Sequence, residues 1–448
     1  MQSGQPAAAR RDRRPWRSAG AAKAATRTGR GIGLRTSIDP ASIATLVQHD
    51  PLRHKRDAFL LPDGVIYLDG NSLGPVPKAA LRELKIAAEQ EWGEDLIRSW
   101  NGAGWFDLPG TLGDQIARLI GAAPGETVIT DTVSINIYKA IHAGLNLRPG
   151  RSVVVAEGSG FPTDIYMIEG VASVRPNMCM RLEGVHGPRI EDLIGDDVAV
   201  VLVNHVDYRT GVLRDMAALT SRIHEAGAIA IWDLCHSAGV LKVELNANGA
   251  DFAVGCTYKY LNGGPGAPAF VFAARRHHGK LSQPLTGWWG HASPFAFDRS
   301  FRPGDGIRPM LCGTQPILSM RALAGALEVW NDVELDQVRE KSLRLTDLFI
   351  ALVEESCGPF GVTLAAPSER EMRGSQVSLR HPHGYEIMQA LIAQGVIGDF
   401  RSPDFMRFGF APLYLSYADI YAAATVLNDI LANGTWRASR FANRAAVT

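Results

Sequence analysis

Lys259 stands between two tyrosines in the stretch Gly255 to Gly266, which reads GCTYKYLNGGPG. The apolar run Phe252-Ala253-Val254 precedes it, and Gly263, Gly264 and Gly266 follow. An amine at the end of a buried strand, beside glycines that let backbone approach a ligand, can hold a carbonyl compound as an imine. The same lysine could equally be a solvated loop charge, so its surroundings decide. Asp233 follows the apolar run Ala228–Trp232. A carboxylate there loses water and needs a cation or a hydrogen-bond donor. Capping the next helix, with His236 in its first turn, is one use for it. Keeping a heterocyclic ring nitrogen protonated is the other, because a protonated ring accepts the electrons of a carbanion.

A ring held in this way also needs a covered face and an anion nest. Val133 and Ser134 open a helical pattern, where backbone N–H groups and a hydroxyl favour a phosphate. Phe161 could cover one face of the ring, and the Tyr258 phenol and a tryptophan N–H could reach the phosphate. Taken together, these groups describe a pyridoxal 5′-phosphate site. The turn-rich D-G-N-S-L-G-P at 69–75 adds Asn71 and Ser72 as candidate substrate-binding groups.

Short β-branched runs must position these residues. Ser152–Ala156, Val198–Val203, Ala228–Trp232 and Phe252–Val254 with Gly255 are nearly all apolar, as strands covered on both faces are. Helical patterns near 134–146, 163–170 and 214–226 alternate with them. The layout is doubly wound α/β, in which ligands gather at the carboxyl ends of strands. Four successive strand ends carry polar or aromatic groups: Gly158 to Asp164, Asn204 to Gly211, Asp233 with His236, and Tyr258 with Lys259. Upstream, Val65–Leu68 is expected to be a strand, Pro77 to open a helix, and Ser99–Gly110 to be a loop holding Trp100, Trp105 and Phe106. Downstream of Gly313 and Pro316, helices are expected at 317–330 and 335–353. A strand is expected at 376–379, a helix near 385–394, a loop at 395–404, a strand at 406–410 and a helix at 417–432.

Composition limits the partners. Of 46 basic and 46 acidic residues, nine and one fall in 1–38, so the remainder carries eight more acids than bases. That body has no basic stripe, which argues against nucleic acid. No apolar run approaches the roughly 18–20 residues of a membrane span. Five cysteines without a paired spacing suggest reduced thiols and a cytoplasmic setting. His277-His278 and His381/His383 lack companion ligands, so no metal is expected. Residues 1–38 are expected to be a disordered basic tail, either a targeting segment or a misplaced start.

Several separate stretches together carry a resemblance: YLDGNSLG at 67–74, FPTD at 161–164, NHVDYRTG at 204–211, WDLCHSAG at 232–239, YKYLNGGPG at 258–266, GWWGH at 287–291 and FAPLY at 410–414. In this order the chain, from about residue 60 to about 430, resembles kynureninases, fold type I pyridoxal-phosphate enzymes of the aspartate-aminotransferase-like group. The resemblance implies a large domain (76–313) with a mostly parallel sheet covered by helices. It implies a smaller α+β domain built from 314–435, with 39–75 supplying its N-terminal part and an active-site loop, and a tail at 436–448. It implies Lys259 as the Schiff-base lysine, Asp233 as the pyridinium partner and Tyr258 as a proton-transfer group. Cofactor contacts would come from Val133, Ser134, Phe161, Pro162, Thr163, Asp164, Thr210, His236, Trp288 and Thr314, with Trp288 and Thr314 reaching across a homodimer interface. Arg407 would grip the substrate α-carboxylate, since a guanidinium offers paired donors. The implied reaction is hydrolytic Cβ–Cγ cleavage of L-kynurenine to anthranilate and L-alanine, with 3-hydroxykynurenine as a second candidate substrate, in tryptophan degradation or NAD biosynthesis. Thr314 with the Trp100 region suggests the unhydroxylated substrate.

Rival readings are an aminotransferase, a cysteine desulfurase, or a silent regulator that binds the cofactor. A desulfurase needs a reactive cysteine, and Cys312 is the one expected beside the site. A silent binder would be expected to lose Lys259, Asp233 or Arg407, and all three are present.

Overall fold

Strands without a polar face can be satisfied only inside a sheet covered on both sides, and such a sheet forms the centre of the fold. The computed structural model describes residues 39–184 and 186–444. Every element named below lies in the one compact unit that begins at Pro40. The tail expected at 1–38 lies outside the described residues.

After α1 (Pro40–Gln48) and β1 (Ile66–Tyr67), the chain forms α2 (Lys78–Ile86), α3 (Ser99–Gly102) and α4 (Leu108–Leu119). Then β2 (Thr127–Ile129), α5 (Val133–Leu147), β3 (Val153–Glu157), α6 (Pro162–Val174), β4 (Cys179–Glu183) and β5 (Val198–Asn204) follow. Next come α7 (Met216–Glu225), β6 (Ile229–Asp233), β7 (Phe252–Gly255) and β8 (Phe270–Ala273). These strands make one seven-stranded sheet in the order β2-β8-β7-β6-β5-β3-β4. From β7 through β4 every neighbouring pair is parallel, and β8 pairs antiparallel with β7 and β2. Ile137, Ala140 and Ile141 of α5 bury in the same core as Val200, Ile229, Ile231 and Val254. Gly144 lets that helix settle on the sheet, since a Cβ there would sit 2.7 Å from Val200 Cγ2.

The C-terminal part contains α8 (Ile317–Leu327), α9 (Leu335–Cys357), β9 (Thr363–Leu364), β10 (Gln376–Arg380) and α10 (Gly384–Ala393). It continues through β11 (Val396–Ile397), β12 (Asp399–Arg401), β13 (Phe405–Gly409) and α11 (Tyr417–Ala432). A four-stranded antiparallel sheet runs β12-β13-β10-β9. β1 pairs in parallel with β11, and the Gly409 N–H donates to Leu68 C=O at 2.7 Å. The turn at 69–75 is thereby held between the C-terminal sheet and the Lys259 loop, where the Gly74 N–H donates to Tyr258 C=O at 2.8 Å.

Several expectations need correction. Ser99–Gly110 is not a plain loop, because it holds α3 and the first turn of α4. The loop at 395–404 contains β11 and β12. α8, grouped by sequence with the C-terminal part, packs on α2 and α4. Residues 436–444 do not leave the body as a tail: Phe441 is buried, and the Tyr385 hydroxyl donates to Asn443 C=O at 2.9 Å.

At the amino end of β7, opposite the Lys259 end, Asp251 ties three segments together. It accepts from His224 Nε2 and His277 Nε2 at 2.7 Å each, from Arg276, and from the Ala230 N–H at 2.8 Å. Burial alone would raise its pKa, but the histidine hydrogen bonds, the N–H and the arginine charge outweigh it and hold the carboxyl well below the usual range. A depressed folded pKa contributes stability above the unfolded carboxylate value, about 4, and loses it as pH falls through the folded value. Asp251→Asn should cost about 3 kcal/mol at pH 7, and its stability should fall less steeply than that of the parent below pH 4. Urea unfolding at pH 7 and at lower pH checks both.

Candidate active site

Because β3, β5, β6 and β7 are parallel neighbours, their carboxyl ends open on one edge of the sheet. Asp233 closes β6 level with Val254 of β7, and Lys259 lies in the turn that follows the end of β7 at Gly255. Between these ends and the C-terminal sheet lies a cavity of about 390 Å³, a size suited to a small molecule. Lys259 is the only lysine lining it among the described residues. Its Nζ lies 2.9 Å from His236 Nε2 and 6.0 Å from the centroid of the Phe161 ring. Burial, then the positive charge of Lys259, pushes the His236 pKa well down, so the imidazole is neutral and accepts from the lysine. Its Nδ1 is buried without a partner among the described residues.

The anion nest is better built than the sequence suggested. Thr132 caps α5, its side chain accepting from the Ile135 N–H, and α6 starts at Pro162 after Phe161. Ser134 Oγ and Thr163 Oγ1 meet at 2.7 Å, so the positive ends of two helices converge on the cavity wall. Val133, Ser134, Phe161 and Thr163 all line it.

The acid end is equally specific. Asp233 accepts from the Cys235 N–H at 2.7 Å and has no ion-pair partner among the described residues. Burial raises its pKa. Beside it the Asp164 pKa is also raised, first by burial and then by the Asp233 charge, and its Oδ1 is buried without a partner among the described residues. Asn204 Nδ2 donates to the other oxygen at 2.8 Å, and the Asn204 N–H donates to Glu157 Oε2 at 2.8 Å. Glu157 in turn is paired with Arg214, which also binds Glu183 at 2.7 Å. Asp233 faces the cavity with Asp164 crowded behind it, and such a carboxylate calls for a proton-bearing cation, which a protonated pyridine nitrogen would supply. The orphaned Asp164 oxygen, the unpaired Asp233, the two-helix nest and the single lysine fit pyridoxal 5′-phosphate.

On the opposite wall stand Asn71, Ser72, Arg407 and Arg401. Asn71 Nδ2 donates to Gln376 Oε1 at 3.1 Å, and Ser72 Oγ to Asp399 Oδ2 at 2.8 Å. Arg407 is not on an edge: β13 is flanked by β12 and β10, and the side chain is buried. Its fork is already engaged, with Nε donating to Asp399 at 2.7 Å and Nη2 also on Asp399. Pro162, Asp164, Thr210, Trp288 and Thr314 do not line the cavity. Thr210 bonds to Asp207, and Trp288 joins an aromatic cluster with Trp100 and Trp289. Thr314 is exposed. Sequence reasoning missed Asn204, Tyr208 and Arg401. Tyr208 packs edge-on against Phe161 at 5.3 Å, and both Asn204 and Tyr208 sit in the quoted NHVDYRTG stretch. Arg401 sits in the segment expected to be a loop, where nothing signalled a wall residue.

Cys235, rather than Cys312, is the cysteine on the cavity wall. Its hydrogen bond with Cys256, then burial, pushes its thiol pKa far up, so it is no thiolate nucleophile. The Tyr258 phenol is likewise pushed up, by burial and then by Cys256, and stays protonated.

The kynureninase C-terminal domain family matches residues 338–427. The chain is 52% identical over 409 residues to a protein of Burkholderia pseudomallei (strain 1106a) named kynureninase, covering 90% of this chain and 98% of that one. It is 49% identical over 405 residues to the kynureninase of Pseudomonas fluorescens, covering 89% and 97%. Among solved structures, a cysteine desulfurase of Escherichia coli superposes with a TM-score of 0.71 at 16% identity, covering 85% of this chain and 98% of that one. A cystine C-S lyase complex gives 0.69 at 16%, covering 82% and 98%. At that identity the likeness concerns the fold alone. Removing the Asp233 charge as Asp233→Asn should raise the dissociation constant for pyridoxal phosphate tenfold or more, since hydrogen bonds to charged groups contribute about 1.5–3 kcal/mol. Titrating the apoprotein with the cofactor and following its absorbance measures this.

Proposed function

The chain belongs to the kynureninase family, and from that premise we propose that it hydrolyses L-kynurenine at the Cβ–Cγ bond to anthranilate and L-alanine. The observation that carries this is the lone cavity lysine, Lys259, facing an unpaired carboxylate and an anion nest in one pocket. When bound, pyridoxal phosphate supplies a carbonyl to condense with the substrate amine and a ring that stores electrons released at Cα.

The protein's groups divide the remaining work. Asp233, which has no ion-pair partner among the described residues, would keep the ring nitrogen protonated. Val133, Ser134 and Thr163 would receive the phosphate at the two helix starts. Phe161, backed by Tyr208, would cover a ring face. With the cofactor bound, Lys259 would be placed to take the α-proton, and neutral His236 at 2.9 Å accepts a hydrogen bond from it. Tyr258 keeps its proton and can donate near the γ-carbonyl, where water adds before the carbon–carbon bond breaks. Arg407 lies across the cavity as a cation for the α-carboxylate.

A cytoplasmic homodimer is part of this proposal. Trp288 and Thr314 lie outside the chain's own cavity, and Phe295, packed on Trp288, is exposed, as is Phe297. Such residues suit contact with a second copy. No helix of the described residues is long and apolar enough to cross a membrane.

Adding L-kynurenine to the cofactor-loaded protein should release anthranilate, seen by its fluorescence, and Lys259→Ala should abolish release. Absence of product from the loaded parent protein would overturn the assignment. Running 3-hydroxykynurenine in parallel tests the preference for the unhydroxylated substrate, which comparable kcat/KM values would remove.

A further inference from the structure

Arg407 is expected to grip a carboxylate, yet most of its donors are already used. Of the five N–H groups of a guanidinium, Nε and one Nη2 proton go to Asp399, the other Nη2 proton goes to Ser72 Oγ at 3.1 Å, and one Nη1 proton goes to Tyr208 C=O. A single Nη1 proton remains. One proton cannot make the paired contact that gives arginine its advantage with carboxylates.

The missing donors stand on the next strand. β12 and β13 are antiparallel with Asp399 opposite Arg407, so Asp399 and Arg401, two residues apart, share the face that carries Arg407. Arg401 lines the same cavity and is only half-buried. Its Nη2 pairs with Asp399 Oδ2 at 2.7 Å, and its Nη1 donates to the Phe400 C=O at 3.2 Å. Nε and one proton on each terminal nitrogen have no protein partner among the described residues. Asp399 meanwhile receives both arginines and Ser72, and the group keeps one net positive charge. The nearby Asp69 carboxyl, pushed up to about 7 by burial and then by the Asp399 charge, cancels that charge only in part near neutral pH.

We propose that Arg401 is a substrate-binding residue, which takes the α-carboxylate together with the last free proton of Arg407, while Asp399 holds the two guanidinium groups as one clamp. This rests on the kynureninase reading of the site. Asp399 contributes position rather than contact. It satisfies the inner edge of each arginine, so neither must give up a protein partner when the carboxylate arrives, and the ordering cost is met before binding.

The test compares the parent with Arg401→Gln and Arg401→Lys, each loaded with pyridoxal phosphate, on L-kynurenine and on its methyl ester, which lacks the carboxylate. Arg401→Gln should raise KM for L-kynurenine about 10- to 100-fold, the range for one lost charge-assisted hydrogen bond, with kcat changed less than threefold. The preference of the parent for the acid over the ester should shrink by a similar factor. Arg401→Lys, which keeps the charge without the fork, should fall between, and it carries the test if the glutamine variant does not fold. Unchanged KM and an unchanged acid-to-ester ratio in a folded variant would overturn the clamp. So would a loss confined to kcat. A parent protein that releases no anthranilate would instead count against the underlying reading, so the two failures are separable.

Discussion

The site depends on the parallel register of β6 and β7. That register sets Asp233 level with Val254 and sends the chain after β7 back past the carboxylate, so that Lys259 and Asp233 enter one cavity from adjacent strands. An antiparallel pairing would have put the two residues at opposite ends of the sheet. The register is in turn fixed by burial on both faces. Ile229, Ile231, Phe252 and Val254 are fully buried, and a slip of one residue would turn every side chain to the other face.

Around that pair, charge is distributed so that a ligand completes what the protein leaves open. On the β3–β5 side, Arg214 is satisfied by Glu157 and Glu183, and Asn204 passes that constraint on to Asp164. The chain of contacts then stops at an orphaned oxygen beside an unpaired Asp233. On the β12–β13 side the pattern is reversed, with two arginines sharing one aspartate and a surplus of donors. The cavity therefore has one wall short of a cation and another short of an anion. A pyridinium ring bearing an amino acid answers both shortages at once, which ties the electrostatics of the fold directly to the chemistry of the family.

Much of this was legible in the sequence, for identifiable reasons. The parallel strands β3, β5, β6 and β7 announce themselves because both faces are apolar, and their ends differ by only a residue from the expected bounds. Lys259, Asp233, Ser134 and Phe161 stand out because each follows an apolar run or opens a helix. β4 was hidden because it is a partly exposed edge strand, CMRLE, with no clean pattern. β2 and β12 have three residues each, too few for periodicity to register. Arg401 went unnoticed for the same reason: within an apparent loop its face is undefined until β12 pairs with β13. The engagement of Arg407 by Asp399 was also beyond reach, since that contact follows from strand register and not from spacing. Trp288 and Thr314 were singled out by resemblance, and neither lines the chain's own cavity.

The central claim is that one lysine, delivered by β7, carries the cofactor. Borohydride reduction of the pyridoxal-phosphate-loaded protein, followed by peptide mass mapping, tests it most directly. The account predicts a phosphopyridoxyl mass on the peptide containing Lys259 and on no other. The label on a different lysine, such as the buried Lys139 of α5, or no stable label at all, would contradict it.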